Sequence, residues 1–243
     1  MLSSLLLSLG LLVGTSQPAP PSSVASTSAS AILLTPQFRR YGTANGLPTS
    51  SVYVAVQDRE GAMWFGTKGG IARFDGLAFR VFRHVAGDPD SLINNGISAL
   101  LVDQQGHLWA GGLEAGLNRY DSAHDRFEHW GHNTSDPDSL AVDKVWAIAE
   151  TSGGVLWVGT ARGLDRMKPD GSGFVHIVNP LLGDKPDAFG MIAALYVDAR
   201  DRLWIGSNLG EFRRDPDGSF HAIHRADSDH PIDRSEERRV GTE

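Results

Sequence analysis

The chain has 243 residues, 41% of them hydrophobic and 21% charged, with 28 glycines, enough length and apolar content to bury a core. A net charge of −7 without any long run of lysine or arginine argues against a nucleic-acid or anionic-surface binder. The lack of cysteine excludes disulfides and thiolate metal sites, and is compatible with an oxidising compartment.

Residues 1–38 contain no Asp, Glu, Lys, Arg or His. An apolar stretch, Leu5 to Val13, runs into a Ser/Pro/Ala-rich region ending in Ala29-Ser30-Ala31. Residues 1–31 therefore read as a secretory signal peptide, although the usual positive start is missing; a low-complexity tail is the alternative. The apolar run is well short of the ~20 residues that a membrane span needs. Next, Phe38-Arg39-Arg40-Tyr41 has the aromatic-x-x-aromatic spacing of an outer strand.

Four units follow, at about 47–84, 92–132, 140–179 and 187–225. Their tryptophans, Trp64, Trp109, Trp157 and Trp204, stand 45, 48 and 47 residues apart, and a period of this size indicates an array. Twelve residues before each Trp sits a β-branched residue: Val52, Ile97, Val145, Ile192. Six before it stands Asp58, Asp103, Thr151 or Asp198. Two after it stands Gly66, Gly111, Gly159 or Gly206. Arg73, Arg119, Arg166 and Arg213 recur farther on.

Each unit divides into four short strands separated by turn-forming clusters, with little room for helix. The predicted fold class is all-β, a β-propeller of which about four four-stranded antiparallel blades are present over residues 32–233. A lone blade has two apolar faces, so a large aromatic in every copy lets adjacent sheets interlock. The glycine two residues on fits a bulge or a close backbone approach. The 38–41 segment is expected to be an outer strand whose three-stranded partner lies at the far end of a closing ring.

The last ten residues, "RSEERRVGTE", break the pattern, with six charges and no aromatic. Residues 234–243 resemble the translation of a sequencing-adapter oligonucleotide, so the expectation is a non-native tail on a fragment; a charged terminal helix is the alternative.

The aspartates at 58, 103 and 198 could be read as a carboxylate ring, but their place at the first turn favours capping of backbone amides. The repeated arginines could line a channel for an anionic sugar, or pair with blade carboxylates and lie along the sheet. "DPDSL", at Asp88–Leu92 and Asp136–Leu140, lacks the ligand spacing of a calcium loop and reads as a turn. His124, His129 and His132 have no metalloprotease spacing and read as surface histidines. No catalytic, cofactor or metal site is expected, and the ligand-binding residues are not identified.

"LPTSSVYVAVQDREGAMWFGTKGGIARFDG" and "LINNGISALLVDQQGHLWAGGLEAGLNRYD" resemble the two-component regulator propeller repeat over roughly Phe38 to Arg225. The fourth unit departs, with Glu211 at a usually apolar position and Asp187 where Leu47, Leu92 and Leu140 stand. The resemblance implies a seven-bladed ring in the periplasmic sensor region of a histidine kinase or diguanylate cyclase. It further implies a small-molecule or carbohydrate ligand, no nucleic acid, and a membrane-anchored, dimeric full-length protein of the inner membrane. Rival readings are a secreted propeller lyase or glycosidase acting on polysaccharide, and a scaffold of the WD-repeat kind. No Trp of the repeat is followed by Asp, which counts against the scaffold.

Overall fold

The computed structural model describes residues 38–182 and 189–225. The expected signal peptide (1–31), Asp187 and the 234–243 tail lie outside the described residues. All the described strands belong to the unit that begins at Arg40.

The sixteen described strands form four antiparallel meanders in strict chain order. The first sheet holds β1 (Val52–Gln57), β2 (Met63–Thr67), β3 (Gly70–Phe74) and β4 (Phe79–Phe82). The second holds β5 (Ile97–Val102), β6 (Leu108–Gly112), β7 (Leu117–Asp121) and β8 (Arg126–Trp130). The third holds β9 (Val145–Glu150), β10 (Leu156–Thr160), β11 (Gly163–Met167) and β12 (Phe174–Ile177). The fourth holds β13 (Ile192–Val197), β14 (Leu203–Ser207), β15 (Gly210–Arg214) and β16 (Phe220–Arg225). The first strands β1, β5, β9 and β13 approach one another in sequence, which makes them the inner strands of adjacent propeller blades.

The turn between the first two strands is built alike in every blade. The Asp58 amide donates to the Ala62 carbonyl at 2.9 Å and the Gly61 amide to the Asp58 carbonyl at 3.1 Å; the same pair recurs at Asp103, Thr151 and Asp198. The closing residue is left-handed each time: Gly61, Gly106, Gly154 and, less usually, Asp201 (φ 61).

Three cores lie between the sheets, not within them. The first joins Trp64 and Ile71 to Ile97 and Leu108, the second Trp109 and Leu117 to Val145 and Val158, the third Trp157 and Leu164 to Ile192 and Ile205. Leu92 and Leu140 of the connecting loops are buried in the first two cores. In the third, Phe189 takes that place and packs edge-on against Phe212 at 5.8 Å. Phe189 thus fills the space that Leu92 and Leu140 fill in the first two cores.

One sequence expectation changes. Residues 38–41 carry no strand; Tyr41 instead sets its ring 4.9 Å from Phe74 and 5.7 Å from Phe79. An outer strand needs a three-stranded sheet to complete, and each of the four described sheets already holds four strands of its own. The fourth blade keeps the four-stranded plan despite Glu211, which lies exposed on β15 at the position of the buried Ile71, Leu117 and Leu164.

Candidate functional site

Each blade tryptophan is fixed at both ends. Trp64, Trp109 and Trp157 are at most 4% exposed, whereas Trp204 is only half-buried. The indole N–H donates to the residue six positions earlier: Trp64 to Asp58 Oδ2 at 2.7 Å, Trp109 to Asp103 at 2.8 Å, Trp204 to Asp198 at 2.9 Å. In the third blade the acceptor is Thr151 Oγ1, at 3.4 Å. The other carboxylate oxygen of each aspartate accepts the turn amides, as at Asp58 from Glu60 and Ala62 at 3.0 and 2.8 Å. One side chain therefore closes the turn and satisfies a buried indole.

The repeated glycines serve the contact between blades. A Cβ on Gly66 would meet Val54 Cγ1 at 2.6 Å and Ile97 Cγ2 at 3.0 Å; on Gly111, Val145 Cγ1 at 2.3 Å; on Gly159, Ile192 Cγ2 at 2.6 Å. Ile97, Val145 and Ile192 each belong to the inner strand of the next blade. The β-branched residue twelve positions before one Trp thus seats in the glycine two positions after the previous Trp. Gly206 has nothing nearer than Ala194 Cβ of its own blade, at 3.5 Å.

The arginine row lies over the tryptophans. The guanidinium carbons of Arg73, Arg119 and Arg213 stand 5.6, 5.4 and 5.9 Å from the rings of Trp64, Trp109 and Trp204. Arg73 pairs with Glu60 at 3.0 Å, Arg119 with Glu128, and Arg213 with Asp215 at 2.8 Å. Over Trp157 the cation is Arg214, at 4.9 Å. These three members of the row pair with carboxylates of their own blade.

Asp198 gives a pH test. Burial is the largest single influence and raises its carboxyl. Bonds from the Trp204 indole, the Arg202 amide and guanidinium and the Arg200 amide outweigh it and hold the group at about 2. A depressed folded value contributes stability that is complete above the ordinary value of 3.8 and is lost as pH falls toward 2. Asp198→Asn is expected to flatten the fall in melting temperature between pH 4 and pH 2. An unchanged acid profile would remove Asp198 from the acid response.

The connecting loops form a second repeated device, which the sequence reading did not identify. Asp88 Oδ1 accepts the Asp90 amide and Asp136 Oδ1 the Asp138 amide, each at 3.0 Å, so "DPDSL" is a turn closed on itself. An imidazole grips each loop from either side. His84 Nδ1 lies 2.7 Å from the Leu92 carbonyl and His132 Nδ1 2.7 Å from that of Leu140. From the following blade, His129 bridges Asn118 Oδ1 and the Pro89 carbonyl, both at 3.0 Å. His176 bridges Asp165 Oδ1 at 2.7 Å and the Pro137 carbonyl at 3.1 Å. Asn118 and Asp165 are buried, and each also accepts a loop amide, from Ile93 and Ala141. Burial pushes the Asp165 carboxyl up, opposed by the Ala141 amide and His176.

His129 and His132 are therefore loop clamps, while His124 stays at the surface with Asp121 at 2.6 Å. Spacing held the signal. His84 and His132 stand two residues after Phe82 and Trp130, and His129 and His176 two after Phe127 and Phe174.

Against the second of these loops lies a cleft of about 410 Å³, lined among others by His132, Thr134, Pro137, Leu140, Arg162 and His176. Among the described residues no group of three His, Cys, Asp or Glu side chains is arranged to hold a metal ion.

With this geometry in view, the comparisons are specific. The family model described as two component regulator propeller matches residues 46–69, 91–114 and 139–162. The three segments fall on the first three blades, each running from the entry leucine to the bend after the second strand. Three consecutive repeats of this chain match that model.

The extracellular domain assigned to a hybrid two-component system of B. thetaiotaomicron is similar over 76% of this chain, with 25% identity and a TM-score of 0.66. A histidine kinase P4 of Formosa agariphila is 36% identical over 55 residues, 23% of this chain. This propeller spans about a quarter of the length of the solved extracellular domain, 26%, and only 4% of the kinase. Virginiamycin B lyase of Staphylococcus aureus shares the fold at 14% identity and a TM-score of 0.53, over 72% of this chain and 56% of the lyase. That last likeness is one of architecture alone.

Proposed function

We propose that this chain is the ligand-sensing propeller of a bacterial membrane signalling protein, exported to the periplasm and not itself an enzyme. The observation that carries the reading is the regulator propeller repeat on three consecutive blades, joined to the likeness with an extracellular two-component domain. A ligand on the propeller would bias an output module elsewhere in the same inner-membrane protein, a histidine kinase or a diguanylate cyclase, acting as a dimer. The titratable side chains described above fit this role, because they cap turns, hold indoles and clamp loops, which is what a rigid binding scaffold requires.

The test is the coding sequence itself. Read past the codon for Asp233 in the source genome, it is expected to encode further blades, a membrane-spanning helix and a kinase or cyclase domain. A reading frame that ends after the last blade, with no such segments, would overturn the sensor reading.

A further inference from the structure

We infer that the cleft between the second and third blades, on the face of the connecting loops, binds a small hydroxylated oxyanion, with Arg162 as the residue that holds the charge. This deepens the ligand-sensing reading and rests on it.

The bend in which Arg162 sits explains its backbone but not its side chain. In three blades the residue before the left-handed glycine donates its amide to the hydroxyl that ends the second strand. Gly69 donates to Thr67 Oγ1 at 3.0 Å, Arg162 to Thr160 Oγ1 at 3.1 Å and Leu209 to Ser207 Oγ at 3.2 Å. The second blade has Ala115 before its glycine, Gly116. Glycine and leucine satisfy the same bend, so the fold asks for no charge at this position. The Arg162 side chain is exposed, lines the cleft and makes no hydrogen bond or ion pair among the described residues. Arg73, Arg80, Arg119, Arg202 and Arg213, by contrast, each hold a carboxylate.

The surroundings narrow the ligand. A guanidinium presents two parallel N–H donors that match a carboxylate or a phosphate. The floor is rigid and already satisfied. His176 is held between Asp165 and the Pro137 carbonyl, and Ser139 Oγ is engaged with Asn133 and Asp136. His132 has its Nδ1 on the Leu140 carbonyl, which leaves Nε2 for a ligand. Pro137 and Leu140 supply an apolar wall, and Thr134 a hydroxyl. Asp136 also lines the cleft and would repel a bare anion, but it would accept a hydrogen bond from a neighbouring hydroxyl. The fit is an oxyanion with hydroxyl groups beside it: an acidic sugar or a sugar phosphate.

The experiment is calorimetric titration of the full chain with galacturonic acid, glucose 6-phosphate and galactose. Saturable binding of at least one charged sugar is expected, with galactose silent, and the preferred charged probe identifies the oxyanion. Arg162→Gln is expected to weaken that binding roughly tenfold or more, with Arg162→Lys intermediate and the melting temperature unchanged in both. No saturable binding of either charged probe, or equal binding by the Arg162→Gln chain, overturns the inference. The sensor reading fails by a separate route, through a gene that encodes no output domain.

Discussion

Gly111→Ala is expected to destabilise the chain by about 1–3 kcal/mol, through one methyl group forced into a packed interface. The new Cβ would lie 2.3 Å from Val145 Cγ1 and 2.8 Å from Val145 Cβ. Val145 is fully buried on an inner strand, so it cannot swing aside. Gly111 has no left-handed backbone, so the penalty is steric and not conformational. Gly206→Ala supplies the control. It occupies the same place in the repeat, but its nearest neighbour is 3.5 Å away, and it is expected to be neutral or slightly stabilising. Denaturant unfolding of the two variants checks this; equal losses would show that glycine at this position serves its own strand and not the next blade.

The second large effect is expected at the tryptophans. Trp109→Ala removes a side chain 4% exposed from the core between the second and third blades. It also leaves Asp103, 7% exposed, without its indole donor. Truncation of a buried aromatic costs about 3–5 kcal/mol, and the loss of one of the two partners of Asp103 Oδ2, with only His107 Nδ1 at 3.0 Å remaining, adds to that. Trp204→Ala is expected to cost clearly less, because Trp204 is half-buried and no described sheet covers its face. Trp109→Phe separates the two contributions, since it keeps most of the packing and loses the N–H. A thermal or denaturant series that ranks Trp204→Ala level with Trp109→Ala would contradict the assignment of these rings to interfaces between blades.

The architecture was legible because it is written four times. A single "LW-x-G" is compatible with any strand; at spacings of 45, 48 and 47 residues it defines blades, and the turn aspartates fall into line with it. What the sequence left open is which surfaces meet. Gly111 read as a bulge or a close approach, and only the structure shows that the approaching group is Val145, thirty-four residues on and in another sheet. The aspartates read as turn caps, and their second bond, to an indole six residues away, needed the register of β1 against β2.

The misplaced outer strand has a physical cause. The 38–41 segment matches the spacing of an outer strand, while burial is decided by volume. Tyr41 finds an aromatic cluster without forming a strand, and Phe189 fills the space kept for a leucine. The loop clamps went unread because the histidines were considered against catalytic and metal spacings instead of against the repeat. Arg162 is legible in hindsight for the opposite reason, since it is charged where the other blades carry Gly69, Ala115 and Leu209.

A double-mutant cycle between Gly159 and Ile192 reaches the core of this account, that one blade is held by a methyl of the next seated on a bare backbone. Ile192→Ala removes the Cγ2 that a Cβ on Gly159 would meet at 2.6 Å, leaving the Ile192 Cβ at 3.2 Å and the Ala147 Cβ at 3.4 Å. Each single variant is expected to be destabilised, and the double variant to be more stable than their sum by about 0.5–3 kcal/mol, because the added methyl then fills the vacated space. Strict additivity of the two losses would mean that Gly159 and Ile192 do not meet, and that the sheets are not stacked in this way.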